Sequence, residues 1–406
     1  MIDFINSFSK SGKPVKDLSR IGTLLNALGN PQNYLKFIHI AGTNGKGSTA
    51  QMFYEVLCCA GIKTGIFTSP YMIDYTDRIR FNGRNITNDE LLPLCERVKA
   101  CAFGKDYSQF EITMAIAFLF YKEIGAEVVV LETGLGGTLD STNIIRDPLL
   151  CVITSVSFDH MAVLGNTLEE ISLQKSGIIK DGAPVVVAYD NQPTTLEAVR
   201  KKALDSGSDL IIPDKDNTVI PSNMLFGGEF LYKGKKYELS MSGAHQVTNA
   251  VNVIEGAEVL KKHFSISDKN IFDGIKKASV LGRCEIIKKS PLVILDGCHN
   301  EGGIKALSDV LKKVDAPIAI VGMLKDKNAQ KALLPMVPIC KSFITVSGFH
   351  PNSYTSQELK DILISLGANA VTGDSIASEY QRAISGKYLN TVIFGSLYLV
   401  SHIKNL

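Results

Sequence analysis

Short, largely apolar runs alternate with longer stretches of helical spacing along nearly the whole chain. The runs at 35–40, 64–67, 127–131, 150–154 and 184–188 predict strands, and 48–60, 88–101, 111–124, 167–175 and 194–206 predict helices. A strand apolar on both faces and followed by a helix belongs to a parallel sheet covered on both sides. Residues 209–240 break the pattern: short alternating pieces joined at Gly227-Gly228 and Lys233-Gly234 predict antiparallel hairpins before helix returns at 247–263. A second alternating unit begins near Arg283, with strands at 292–295, 318–321, 343–346 and 391–394 and helices at 302–313, 328–336, 356–366 and 376–385. A length of 406 residues exceeds one compact core. The expected division falls at 279–282, giving domains of 1–281 and 282–406. The fold class expected is α/β: a P-loop-containing central sheet domain with a small antiparallel part, plus a smaller C-terminal Rossmann-like α/β domain. A cleft between two such domains is a common small-molecule site.

Charge excludes several kinds of partner. Lys and Arg number 43 against 41 Asp and Glu, scattered rather than blocked. That balance gives no electrostatic reason to bind nucleic acid or an anionic membrane. The first residues show no apolar signal core, and the longest apolar run, 112–121, is about half of the ~20 residues a membrane helix needs. Eight cysteines without a CxxC pair fit free thiols in a reducing cytosol. A cytoplasmic location is therefore expected, and, with no oligomer signal, a monomer.

Three motifs carry chemistry, each at the end of a predicted strand. In Ile40-Ala41-Gly42-Thr43-Asn44-Gly45-Lys46-Gly47-Ser48-Thr49 a strand runs through glycines into a helix. Backbone N–H groups of such a turn converge on phosphate at the positive end of a helix dipole. Lys46 can reach terminal phosphate oxygens, and the Ser48 hydroxyl can ligate Mg2+. Gly42 and Gly45 are only three apart, a tighter spacing than the ordinary GxxxxGK[ST]. Glu132, in Leu131-Glu132-Thr133-Gly134-Leu135-Gly136-Gly137, puts a carboxylate at the sheet edge where α/β ligand sites lie, a natural Mg2+ ligand near a nucleotide. His160, in Phe158-Asp159-His160, can ligate metal through a ring nitrogen. Each has a plain alternative: a ligand-free turn, a solvated strand-end carboxylate, a structural histidine.

Further segments follow in a fixed order: TSPYMIDYTDRIRFNG (68–83), Phe110-Glu111, ETGLGGTLDSTN (132–143), DHMAVLGNTLEEISLQKSGIIK (159–180), SGAHQVTNA (242–250), LGRCE (281–285), LDGCHN (295–300) and FGSLYL (394–399). With the P-loop they resemble the folylpolyglutamate synthase/dihydrofolate synthase branch of the Mur ligase superfamily, from about residue 4 to 400. That resemblance implies folate biosynthesis: an ATP-dependent amide ligation joining L-glutamate to a pterin or folate carboxylate through an acyl phosphate. The substrates implied are ATP, L-glutamate and a folate or dihydropteroate.

The resemblance also implies roles. Ser48, Ser69, Glu132 and His160 would surround magnesium, two ions in all. Lys46, Lys175 and His160 would serve catalysis, Lys175 as a carbamate. Asn44, Gly45, Lys46, Gly47, Ser48, Thr49, Asn249, Arg283 and Asp296 would contact ATP. Phe110, Glu111, Leu139, Asp140 and Ser141 would lie on the folate side, His299 and Ser396 on the glutamate side. The chain departs from the family pattern at Asp17-Leu18-Ser19-Arg20, Tyr71 and Thr138, which bears on substrate choice, and at Gln174 and Ser176, on either side of the retained Lys175. Two other readings stand beside this one. A cell-wall amino-acid ligase would need a further domain before the P-loop, where 41 residues precede Gly42. A nucleotide switch would have no use for Glu132, His160 and Lys175 together.

Overall fold

The computed structural model describes residues 2–9, 15–102, 104–221 and 224–406. They form two compact units. The first comprises 1–156, 160–216 and 248–277; the second comprises 157–159, 217–247 and 278–406. The 217–247 segment therefore groups with the C-terminal unit, whereas the sequence placed it in 1–281. It forms a three-stranded antiparallel sheet of Thr218–Val219, Gly228–Tyr232 and Lys235–Leu239, as the paired turns require.

The first unit is built on an eight-stranded sheet. Its order is Arg84–Asn85, Ile79–Phe81, Thr64–Phe67, Val128–Glu132, Phe37–Ala41, Leu150–Ile153, Val185–Val187 and Leu210–Ile211. The strands from Thr64–Phe67 to Leu210–Ile211 are parallel. Two short antiparallel strands close the other edge, a part of the sheet that the expected all-parallel arrangement lacked. Their Arg-rich, partly exposed sequences give no apolar run to recognise. Leu210–Ile211 is likewise an edge strand of the parallel sheet, not part of a hairpin.

The central strands are buried throughout because helices cover both faces. Helix Gln109–Glu123 contributes nine buried apolar residues to one core, with Phe118 edge-on to Phe37. Helix Lys46–Cys59 is covered by Asp268–Lys277, an amphipathic helix absent from the sequence prediction. Gly274 lets the two backbones touch: a Cβ there would lie 2.4 Å from Val56 Cα.

The C-terminal unit holds a six-stranded sheet ordered Glu285–Lys289, Leu292–Asp296, Asn390–Phe394, Ile318–Val321, Ser342–Thr345 and Ala370–Thr372. The five strands after the first run parallel, as the alternation predicts. The antiparallel Glu285–Lys289 escaped prediction because it is a half-exposed edge strand with two lysines. Among the described residues no helix is long and apolar enough to cross a membrane. All eight cysteines are free thiols.

Candidate active site

Sheet order assembles the P-loop. Phe37–Ala41 lies between Val128–Glu132 and Leu150–Ile153, so three strand ends meet at Gly42. The Thr43 and Asn44 amides donate to Ser155 O at 2.7 and 3.2 Å, and Thr154 Oγ1 donates to Asn44 O at 2.8 Å. The Asn44 amide is thus spent on the neighbouring strand end rather than turned to a phosphate. Gly45 caps the helix at φ +86°, and a Cβ there would strike Asn249 Oδ1 at 2.4 Å. Only glycine fits that backbone with the Asn249 amide laid over it. The amides of Lys46, Gly47 and Ser48, in the first helical turn, point out of the helix end, a geometry suited to an anion. Thr49 is fully buried, hydroxyl included.

Glu132 aims its carboxylate at the start of that helix. It is buried, its Oε2 accepts the Ser69 amide at 3.2 Å, and a Cβ on Gly47 would sit 3.7 Å from the same oxygen. Glu132, Ser69 and the Gly47-Ser48 turn therefore come together from three segments. A buried carboxylate at the start of the helix that carries Ser48 is an oxygen donor that suits a hard divalent cation. His160 stands exposed at φ +50°, at the start of the short helix Met161–Leu164. Among the described residues no group of three or more His, Cys, Asp or Glu gathers as a metal cluster.

Two cationic side chains converge on one carbonyl. Lys46 Nζ donates to Gly42 O at 3.1 Å and to Thr43 O at 3.3 Å, and Lys175 Nζ donates to Gly42 O at 2.7 Å. Lys175 is buried at the end of helix Leu168–Ser176, which a capping box from Thr167 to Glu170 starts. The next loop locks against it: the Thr138 amide and hydroxyl both donate to Gln174 O, at 2.8 and 3.1 Å. Thr138 thus meets Gln174 at its backbone carbonyl, through both its own amide and its hydroxyl.

On the other side of Glu132, Phe110 and Asp140 flank Gly134, where a Cβ would lie 2.8 Å from the Phe110 ring and 3.3 Å from Asp140 Oδ2. Burial pushes the Asp140 carboxyl above its ordinary value, while hydrogen bonds from Leu135 and Thr142 act against it. Leu139 is exposed and Ser141 half-buried beside it. Glu111 has a different task. It is paired with Arg20 through two 2.8 Å contacts and caps its helix by accepting Ser108 N and Oγ, each at 2.8 Å. Three of those bonds fall on Oε2 and one on Oε1, so Glu111 ties the helix Ser19–Ala27 to the start of its own helix.

The C-terminal unit carries the remaining candidates. Asp296 ends its strand buried, accepting the Cys284 and Cys298 amides at 2.6 and 2.7 Å. Arg283, half-buried, lies one residue before Cys284. Ser396 caps helix Leu397–Lys404 by accepting Tyr398 N at 3.1 Å. His299 holds Gly297 O at 2.9 Å with Nδ1, and its pKa falls to about 4, chiefly through burial and then the Lys327 charge. Asp159 and Lys327 form a largely buried ion pair at 2.7 Å, each side chain 9% exposed, and Asn300 donates to the same carboxylate at 2.9 Å. Sequence reasoning missed both members of that pair. The signal was available in Lys325-Asp326-Lys327, a charged run just past the end of strand Ile318–Val321.

A family model of the Mur ligase middle domain matches residues 40–256, and one of the Mur ligase glutamate ligase domain matches residues 282–393. Fold and matches together define a Mur ligase. The dihydrofolate synthase/folylpolyglutamate synthase of Bacillus subtilis is 36% identical over 411 residues, spanning 95% of this chain and 94% of that one. The structure of Escherichia coli FolC in complex with DHPP and ADP superposes with a TM-score of 0.87 at 25% identity, covering 99% of this chain and 95% of that one. That of the bifunctional synthase from Yersinia pestis complexed with AMPPNP and Mn ion gives 0.84 at 25% identity, covering 97% and 94%. The chain belongs to the dihydrofolate synthase/folylpolyglutamate synthase family.

Proposed function

We propose that this chain uses ATP to join L-glutamate to a pterin or folate carboxylate through an acyl phosphate, acting on both dihydropteroate and reduced folates. The observation that carries this reading, beside family membership, is the meeting of Glu132, Ser69 and the Gly47-Ser48 helix start next to Lys46 and Lys175. The reaction brings two anions together, the substrate carboxylate and the γ-phosphate. The carboxylate oxygen attacks phosphorus and ADP leaves; the glutamate amine then attacks the acyl carbon and phosphate leaves. Positive charge must be fixed where the two anions meet. Lys46 and the first-turn amides supply it for the phosphates. Ser48, Ser69, Glu132 and His160 would hold magnesium, two ions in this reading, which screens the two anions from each other when bound.

Lys175 is assigned as a carbamate. Two ammonium groups bonded to the same Gly42 carbonyl repel each other. Condensing the Lys175 amine with CO2, with loss of a proton, replaces that repulsion by attraction to Lys46 and adds an anionic ligand for the metal. Asn249, Arg283 and Asp296 are assigned to ATP, Phe110, Leu139, Asp140 and Ser141 to the pterin acid, and His299 and Ser396 to glutamate. Glu111 is assigned instead to anchoring Arg20 and its helix. The domains assigned are 1–281 for nucleotide binding and 282–406 for glutamate ligation. A cytoplasmic monomer remains the expectation.

The test is turnover with ATP, Mg2+ and glutamate, measured separately on dihydropteroate and on tetrahydrofolate monoglutamate. Glutamate-dependent ADP release is expected with each. Its absence with every pterin carboxylate would refute the reading, and its presence with only one would refute bifunctionality.

A further inference from the structure

The central strand Phe37–Ala41 contains an anomaly. Its other residues are Phe, Ile and Ala, yet His39 sits among them with no exposed surface. A buried imidazole costs desolvation unless it is hydrogen-bonded, and an aliphatic residue would pack there without that cost. Only one of its nitrogens is engaged: Nε2 lies 2.8 Å from Thr142 Oγ1, while Nδ1 is buried without a partner.

Thr142 passes the contact on. Its hydroxyl donates to Asp140 Oδ1 at 2.6 Å, its amide donates to the same oxygen at 2.9 Å, and the Leu135 amide donates to Oδ2 at 2.8 Å. A hydroxyl has one proton, and the short contact to the carboxylate takes it. His39 must then donate from Nε2–H as a neutral ring. Burial lowers its pKa to about 3, and the charge of Lys180 acts in the same direction. Lys180 itself braces the turn, donating to Asn143 O at 3.1 Å, and Asn143 donates to Thr138 O at 3.0 Å and Gly177 O at 3.1 Å.

We infer that His39 is a positioning residue: acting through Thr142, it fixes the Asp140 carboxylate beside Phe110, where a flat heterocycle bearing N–H donors would be received. The inference rests on the assignment of Asp140 to the pterin acid. It makes the strand that feeds the P-loop also the support of the second substrate's turn, so one element orients both reactants.

Steady-state kinetics and 15N-histidine NMR test it on the full chain. His39→Leu and Thr142→Val are expected to raise KM for dihydropteroate by about tenfold, with KM for ATP within about twofold, the loss of one buried hydrogen bond. His39→Gln, whose amide can donate from the same reach, and Thr142→Ser are expected to stay within about threefold of wild type. The double variant His39→Leu/Thr142→Val should be no worse than Thr142→Val, because the two act as one unit. The NMR signal of His39 should show a protonated Nε2 and a bare Nδ1 that does not titrate above pH 5, with the Nε2 shift moved in Thr142→Val. Equal rises in both KM values, additive losses, a Gln variant as poor as Leu, or an Nδ1-protonated ring would overturn the inference. Should His39→Leu not fold, the Thr142 pair and the NMR readout still decide it. A wild-type chain without glutamate-dependent turnover would instead refute the functional reading, leaving the tautomer and its response to Thr142→Val as the test of the relay.

Discussion

The ammonium group of Lys175 donates a 2.7 Å hydrogen bond to the Gly42 carbonyl, across 133 positions of sequence. The P-loop and the lysine helix are thereby one object. Incubation with 13C-bicarbonate is expected to give a carbamate carbon resonance that Lys175→Gln abolishes. Turnover should fall on the order of 10²-fold in that variant, the scale of one lost electrostatic contact in a catalytic site. An unmodified amine at saturating bicarbonate would contradict the assignment.

Lys46→Ala should reduce kcat by roughly 10²–10³-fold, since no other side chain of the loop carries positive charge to the phosphate end. It is a half-buried side chain whose bonds include two loop carbonyls, at 3.1 and 3.3 Å, so the fold should tolerate the change. Thermal unfolding within a few degrees of wild type, together with near-complete loss of ADP release, is the expected pair of results.

Gly45→Ala combines a positive φ of 86° with a 2.4 Å approach to Asn249 Oδ1. The backbone strain should cost about 1–3 kcal/mol in chemical denaturation. If Asn249 serves ATP, KM for ATP rises as well while KM for glutamate does not.

Acid sensitivity follows from two histidines, His39 fully buried and His299 partly exposed. His39 and His299 have folded pKa values lowered to about 3 and about 4, from 6.5 in the unfolded chain. A base whose folded pKa is depressed favours folding fully above pH 6.5 and loses that stability as the pH falls toward the folded value. Between those limits the unfolded state holds one more proton per histidine, a slope of about 1.4 kcal/mol per pH unit each. Denaturant titrations of wild type and His39→Gln should therefore differ in slope between pH 6 and 4 and run parallel above pH 7.

Breaking the Arg20–Glu111 pair should act on stability alone. Arg20→Ala leaves the buried Glu111 carboxylate with its Ser108 bonds only. A loss of about 1–3 kcal/mol is expected, with KM for dihydropteroate unchanged. A raised KM at constant stability would return Glu111 to the substrate site.

The parts legible from sequence are those that local spacing determines. The P-loop needs its glycines within a few residues of Lys46 and Ser48, so the motif is visible in one line. Val128–Glu132 and Ile318–Val321 were readable because both faces are covered and the run is almost entirely apolar. Arg84–Asn85 and Glu285–Lys289 were not, because an edge strand needs no such run. Contacts set by sheet order were also invisible. His39 meets Thr142 over 103 positions and Lys327 meets Asp159 over 168, distances at which residue type and periodicity carry no pairing information.

The backbone moves from one unit to the other five times, because Ser157–Asp159 and Asn217–Val247 are stitched into the C-terminal unit between stretches of the first. A fragment cut at 282 would leave Lys327 without its carboxylate and the C-terminal unit without its hairpin. Synthesis on the ribosome therefore supplies pieces of the second unit well before its own sheet exists. Neither unit is a module that recombination could lift out whole, and a change of partner domain would have to rewrite both ends of the exchange at once.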